Sequence, residues 1–116
     1  MNAKLVQLER WGCDVKSALP RFLNDEEFML ECIVQVSQDP AFDELGRSIE
    51  AEKTKEAFDA AHTLKGIIAN TGLTPLLVII VDIVELLRRG DTDGLNKLYG
   101  RLVKTRQGLI RVLECR

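Results

Sequence analysis

Residues 53–76 read KTKEAFDAAHTLKGIIANTGLTPL. Within them Ala57, Phe58, Ala61, Leu64 and Ile68 recur at threes and fours, the spacing that gathers apolar side chains on one face of an α-helix. Asn70-Thr71-Gly72 then supplies residues that tolerate a left-handed backbone and end a helix. Thr74-Pro75 reads as an N-cap followed by proline at the first helical position. Two helices joined by so short a connection must pack as antiparallel neighbours, which is the repeating unit of a helical bundle.

Downstream, the second of these helices runs to Arg89 with basic residues in its last turn, and Gly90 closes it. Asp91 or Thr92 is placed to cap a final helix in which Leu95, Leu98, Leu102, Thr105, Leu109 and Val112 repeat at threes and fours. At 1.5 Å per residue it would be about 35 Å long. Upstream, Phe28, Leu30, Ile33, Val34, Phe42, Leu45 and Ile49 mark a slowly drifting apolar stripe. One helix is expected there, kinked or broken near Gln38-Asp39 because Pro40 removes a backbone donor, with two shorter helices as the alternative. Leu5, Leu8 and Trp11 predict a short first helix over 2–11 ended by Gly12, and Asp14 can cap a second short turn that Pro20 or Asn24-Asp25 closes. The expected architecture is all-α: an up-down-up-down antiparallel four-helix bundle over 25–51, 53–70, 74–89 and 92–115, with short capping helices in 1–24. All of it lies in one domain, 1–116.

The 116 residues are enough to bury a core without disulfide or metal, and 46% hydrophobic with 29% charged residues is an ordinary globular balance. Sixteen basic and 18 acidic residues are scattered along the chain for a net charge of −2, so no basic stripe marks a nucleic-acid partner. The N-terminus lacks the basic, apolar and small-residue pattern of a secretion signal, and a cytoplasmic location is expected. Leu76 to Leu87 is too short to cross a bilayer and carries Asp82 and Glu85. The run Leu76-Leu77-Val78-Ile79-Ile80-Val81 is apolar nearly all round and is expected in the core, with a strip left for a partner beside His62. Cys13, Cys32 and Cys115 are odd in number and far apart, which fits reduced thiols and no CxxC site.

His62 is the only histidine in the chain. That excludes metal sites built from several imidazoles, carboxylate-bridged sites that need paired Glu-x-x-His segments, and relays between two histidines. On a helical wheel it falls roughly 110° from the middle of the buried stripe, so the ring should meet water. Lys65 and Gly66 are its i+3 and i+4 neighbours and share its surface patch. A mid-helix glycine costs about 1 kcal/mol relative to alanine, and here it bares the surface one turn from the imidazole. Lys65 can meet a phosphate-type group with charge-assisted hydrogen bonds. Neutral imidazole is a competent nucleophile near pH 7, so a single exposed ring can carry a phosphoryl group. The plainer alternatives are a solvated surface histidine, a solvated lysine, and a glycine that permits a close helix crossing.

Ala61-His62-Thr63-Leu64-Lys65-Gly66, continued by Asn70, Gly72 and Leu76, resembles the signature of the histidine-containing phosphotransfer domains of bacterial two-component phosphorelays. Gly12-Cys13-Asp14-Val15 through Arg21-Phe22 and Asp25 resembles that family's entry segment, and Leu86-Leu87-Arg88-Arg89-Gly90-Asp91 its turn into the last helix, so the resemblance covers nearly the whole chain. It implies that His62 is phosphorylated, that Lys65 helps hold the phosphoryl group, and that Gly66 and Ala69 admit a docking receiver domain. Asn70 and Gly72 would shape the helix end. It further implies a monomeric phosphocarrier rather than an enzyme. The phosphoryl group would come through a sensor histidine kinase pathway from one response-regulator aspartate and pass to another, with Mg²⁺ and most of the catalysis in the receiver and no cofactor on this chain. No G-x-x-x-x-G-K-[ST] segment is present for nucleotide. The sequence ends at Arg116, and a free-standing carrier is expected. Two other functions stay open: a non-catalytic helical adaptor that binds receivers, and the phosphoacceptor domain of a chemotaxis-type kinase.

Overall fold

Asn2 opens the first helix, its side-chain oxygen accepting from the Lys4 and Leu5 N–H groups at 2.8 and 3.3 Å. In the computed structural model, which describes residues 1–115 and leaves Arg116 outside, helix α1 spans Ala3–Trp11 and stops at Gly12, whose φ of 126° suits glycine. Asp14 caps α2 (Val15–Ala18) by accepting from Ser17 N–H at 3.3 Å, and a 3₁₀ turn follows over Leu19–Phe22. Leu23 and Asn24 then adopt left-handed φ values of 57° and 58°, and the Asp25 carboxylate caps the next helix at Phe28 N–H, 3.1 Å away.

The single helix expected over 25–51 is instead two, α3 (Glu26–Ser37) and α4 (Ala41–Glu50). Pro40 has no N–H to continue the ladder, and the Asp39 carboxylate accepts from Ala41 N–H at 2.8 Å, where a second helix starts. Arg106 closes the gap from the far end of the chain. Its Nε donates to the Ser37 carbonyl at 2.8 Å, and its guanidinium lies 4.5 Å from the centre of the Phe42 ring. The buried positions of α3 accordingly do not continue the stripe expected for a single helix. Met29, Ile33 and Val36 are buried, Leu30 and Val34 are half-buried, and Phe28 is 45% exposed against the edge of Phe22.

Beyond the break, α5 spans Thr54–Asn70, α6 Thr74–Arg88 and α7 Leu95–Glu114. Consecutive helices from α4 to α7 pack on one another, and α1 lies along α7, where Lys4 Nζ donates to the Val112 and Cys115 carbonyls. All regular structure among the described residues is helical, drawn out to 43 × 25 × 19 Å. Leu5, Leu45, Leu64, Ile80 and Leu102 are among the residues that seal the interior. On α6 the apolar run is mostly core, with Val78 and Asp82 on the outer face one turn apart. No helix among the described residues is long and apolar enough to cross a membrane.

Two expected caps are displaced. Thr74 is already helical and its hydroxyl donates to Gly72 O, so the N-cap position belongs to Leu73. The last helix opens at Gly94, with φ 78°, because the Asp91 carboxylate is taken up within the preceding turn by Asp93 N–H at 3.0 Å. With its start moved to Leu95, α7 has 20 residues and is roughly 30 Å long.

One helical glycine is a packing device. A Cβ on Gly46 would lie under 3.0 Å from Oη, Cζ and Cε2 of Tyr99, whose hydroxyl donates to the Phe42 carbonyl at 2.9 Å. The tyrosine ring of α7 therefore rests directly on the α4 backbone.

Candidate functional site

Ala57, Ala60, Ala61, Leu64 and Ile68 are the buried positions of α5, and their small or slender side chains let α4 and α6 close in on two sides. The opposite face is left to water. On it the structure places His62 exposed, Lys65 half-buried, and Gly66 and Ala69 exposed. At 100° per residue these four positions fall within one third of the helix circumference, so they share a stripe two turns long.

A Cβ placed on Gly66 would meet nothing within 4 Å. The helix-crossing explanation for this glycine therefore fails, and the bare backbone faces open space. Beside it runs a shallow groove between α3 and α5, whose walls include Phe22, Cys32, Val36 and Ile67. The Lys65 ammonium has no ion pair or hydrogen bond among the described residues. Neither ring nitrogen of His62 has a hydrogen-bond partner there either. Among the described residues its ring contact is Phe58, four residues earlier, stacked at 5.8 Å between centroids and 26° between planes. The Arg88 guanidinium of α6 stands 5.8 Å from the Phe58 centroid and is paired with Glu85 at 2.6 Å. Sequence reasoning placed Phe58 in the core and missed both partners. The i, i+4 spacing of Phe58 and His62 was the available signal.

The C-terminal end of α5 is built as a rigid stop. Thr71 donates its hydroxyl to Ile67 O at 2.7 Å, and Gly72 takes the left-handed conformation at φ 69°. The Gly72 carbonyl accepts from Asp14 N–H at 2.8 Å, and a Cβ on Gly72 would lie 2.8 Å from the Asp14 carbonyl oxygen. Asn70 is the last helical residue, and its carbonyl and that of Ala69 accept from Arg21 at 3.0 and 3.1 Å. Arg21 thus supplies the positive charge that favours a helix C-terminus. Ala69 contributes to this end as well as to the exposed stripe.

Cys13 sits beneath the same turn, its Sγ donating to Thr71 O at 3.6 Å. Burial above all, then the nearby Asp14 and Glu9 carboxylates, pushes its thiol up to about 12. It stays a protonated packing group rather than a nucleophile. No cluster of three potential metal ligands occurs among the described residues.

The arrangement offers an exposed imidazole, a cation one turn away that is uncommitted among the described residues, and an unobstructed approach over glycine. No protein-family model, no curated protein and no solved structure matches the chain.

Proposed function

We propose that this protein is a phosphorelay carrier of the histidine-containing phosphotransfer type, with His62 as the residue that takes and gives the phosphoryl group. The observation that carries the reading is the exposed His62 ring, unbonded at both nitrogens among the described residues, beside Lys65 and an obstruction-free Gly66 on one face of α5. In this reading α3 with α4, then α5, α6 and α7, are the four arms of an up-down-up-down bundle in a single cytoplasmic domain. The phosphoryl donor and acceptor are receiver-domain aspartates fed by a sensor histidine kinase.

The chemistry needs little from this chain. An imidazole nitrogen attacks the phosphorus of an aspartyl phosphate, forming an N–P bond as the acyl O–P bond breaks and the carboxylate departs with the electron pair. Water takes the excess ring proton, since no protein group bonds the second nitrogen among the described residues. Lys65 then faces the new phosphoryl oxygens, where an ammonium gives charge-assisted hydrogen bonds. Mg²⁺ and the aspartate would belong to the receiver.

The test is to mix the protein with receiver domains labelled by a radioactive small-molecule phosphodonor and to follow acid-labile, base-stable label on this chain. Label is expected on the wild type and none on His62→Gln. Label on the variant, or none on the wild type with any receiver tried, overturns the proposal.

A further inference from the structure

We propose that Phe58 is a positioning residue for His62, holding the imidazole by its face so that both ring nitrogens stay open; the inference deepens, and rests on, the phosphocarrier reading. The two residues are one turn apart on α5 and their rings stack at 5.8 Å and 26°. Reactive histidines are commonly oriented by a hydrogen bond to their second nitrogen, which selects one tautomer and occupies that nitrogen. Here no such bond is made among the described residues. Stacking does the orienting by another route, since it engages the π face while the nucleophilic lone pairs lie in the ring plane. The ring is steadied and neither nitrogen is spent.

Phe58 is itself braced. It is half-buried against the core, and Arg88 of the neighbouring helix stands over its ring, held by Glu85. An exposed imidazole without a neighbour exchanges rotamers freely, and every rotamer that points the nitrogen away from a docked donor lowers the productive fraction. Holding the ring in one rotamer keeps it near the attack geometry before the donor arrives. During transfer the N–P bond forms at the in-plane nitrogen as the donor O–P bond breaks, and the stack is undisturbed.

Two readouts on the full chain test this. In Phe58→Leu the His62 ring proton signals are expected to move toward those of free histidine, with helix content unchanged by circular dichroism, and Phe58→Trp to restore an upfield ring-current shift. Phosphoryl transfer from a labelled receiver should slow roughly two- to tenfold in Phe58→Leu, the range a lost aromatic pair corresponds to, and recover in Phe58→Trp. Arg88→Gln should shift both readouts in the same direction by less. Unmoved ring signals in Phe58→Leu, or a transfer rate equal to wild type, overturn the inference. If Phe58→Leu does not fold, Phe58→Met replaces it under the same criteria. Absence of transfer to the wild type from both receivers and phosphoramidate defeats the carrier reading instead, while the ring signals still judge whether Phe58 orients His62.

Discussion

On the phosphocarrier proposal, replacement of Gly66 should separate stability from transfer. The residue lies inside a continuous helix, is exposed, and among the described residues nothing beyond its own stretch of helix comes within 4 Å of a would-be Cβ. Alanine there removes the backbone-entropy penalty of a helical glycine and meets no obstacle, so Gly66→Ala should gain about 1 kcal/mol. For a chain of this length that corresponds to a rise of about 4 °C in Tm. Glutamine is nearly as good a helix former, so Gly66→Gln should also melt above wild type. Its side chain, however, would stand over the patch one turn from His62 and would block the backbone of the proposed docking partner. Transfer should therefore fall tenfold or more in Gly66→Gln, a loss of about 1.4 kcal/mol or more in transition-state terms, and only slightly in Gly66→Ala. Thermal unfolding followed by circular dichroism and quenched-flow transfer from a labelled receiver measure the two arms. A lower Tm for Gly66→Ala would mean that the glycine serves packing after all. A hyperstable Gly66→Gln that transfers at the wild-type rate would mean that partners do not approach over this patch. A residue whose removal improves the fold and harms the reaction is what a stability–activity trade-off predicts at a working surface.

Gly46→Ala should do the opposite of Gly66→Ala. Its Cβ drives into the Tyr99 ring and displaces the hydrogen bond to Phe42 O, so a net loss of about 1–2 kcal/mol is expected after the helix-propensity gain. Chemical denaturation should show that loss, and pairing Gly46→Ala with Tyr99→Ala should relieve the clash, with non-additivity as the sign that the two share it. Cys13 gives a pH dependence. Its folded-state thiol is raised to about 12 while the unfolded thiol titrates near its ordinary value, so between those limits the unfolded chain holds fewer protons and stability falls as pH rises. The slope approaches about 1.4 kcal/mol per pH unit, and Cys13→Ala should flatten the decline seen in urea midpoints between roughly pH 9 and 11. An unchanged slope in the variant would assign the decline to other groups, Tyr99 among them, whose hydroxyl is also raised by burial and by Asp43.

Which parts of this molecule could be read from the chain follows from how far apart their causes lie. The helix ends at Gly12, Gly72 and Gly90 were legible because each turns on a left-handed backbone that glycine alone adopts without cost. The break at Pro40 was legible as a possibility, whereas the bond that fastens the end of α3, donated by Arg106 from 69 residues beyond the Ser37 carbonyl, was not. Carrying the apolar stripe unbroken through that point put Phe28 in the core when the true phase buries Met29 beside it. The site divides along the same line. His62, Lys65, Gly66 and Ala69 share a face by helix geometry alone, whereas the brace on Phe58 comes from α6 and has no local signature. Gly46 and Gly66 make the point most sharply, because both are mid-helix glycines and nothing in their immediate neighbours ranks them. One is bare because Tyr99 needs the room, and the other is bare with nothing there to need it. Packing accounts for the first and not for the second, and Gly100 in α7 is equally unobstructed, so the proposed docking role of Gly66 rests on its place one turn from His62 and not on its bareness.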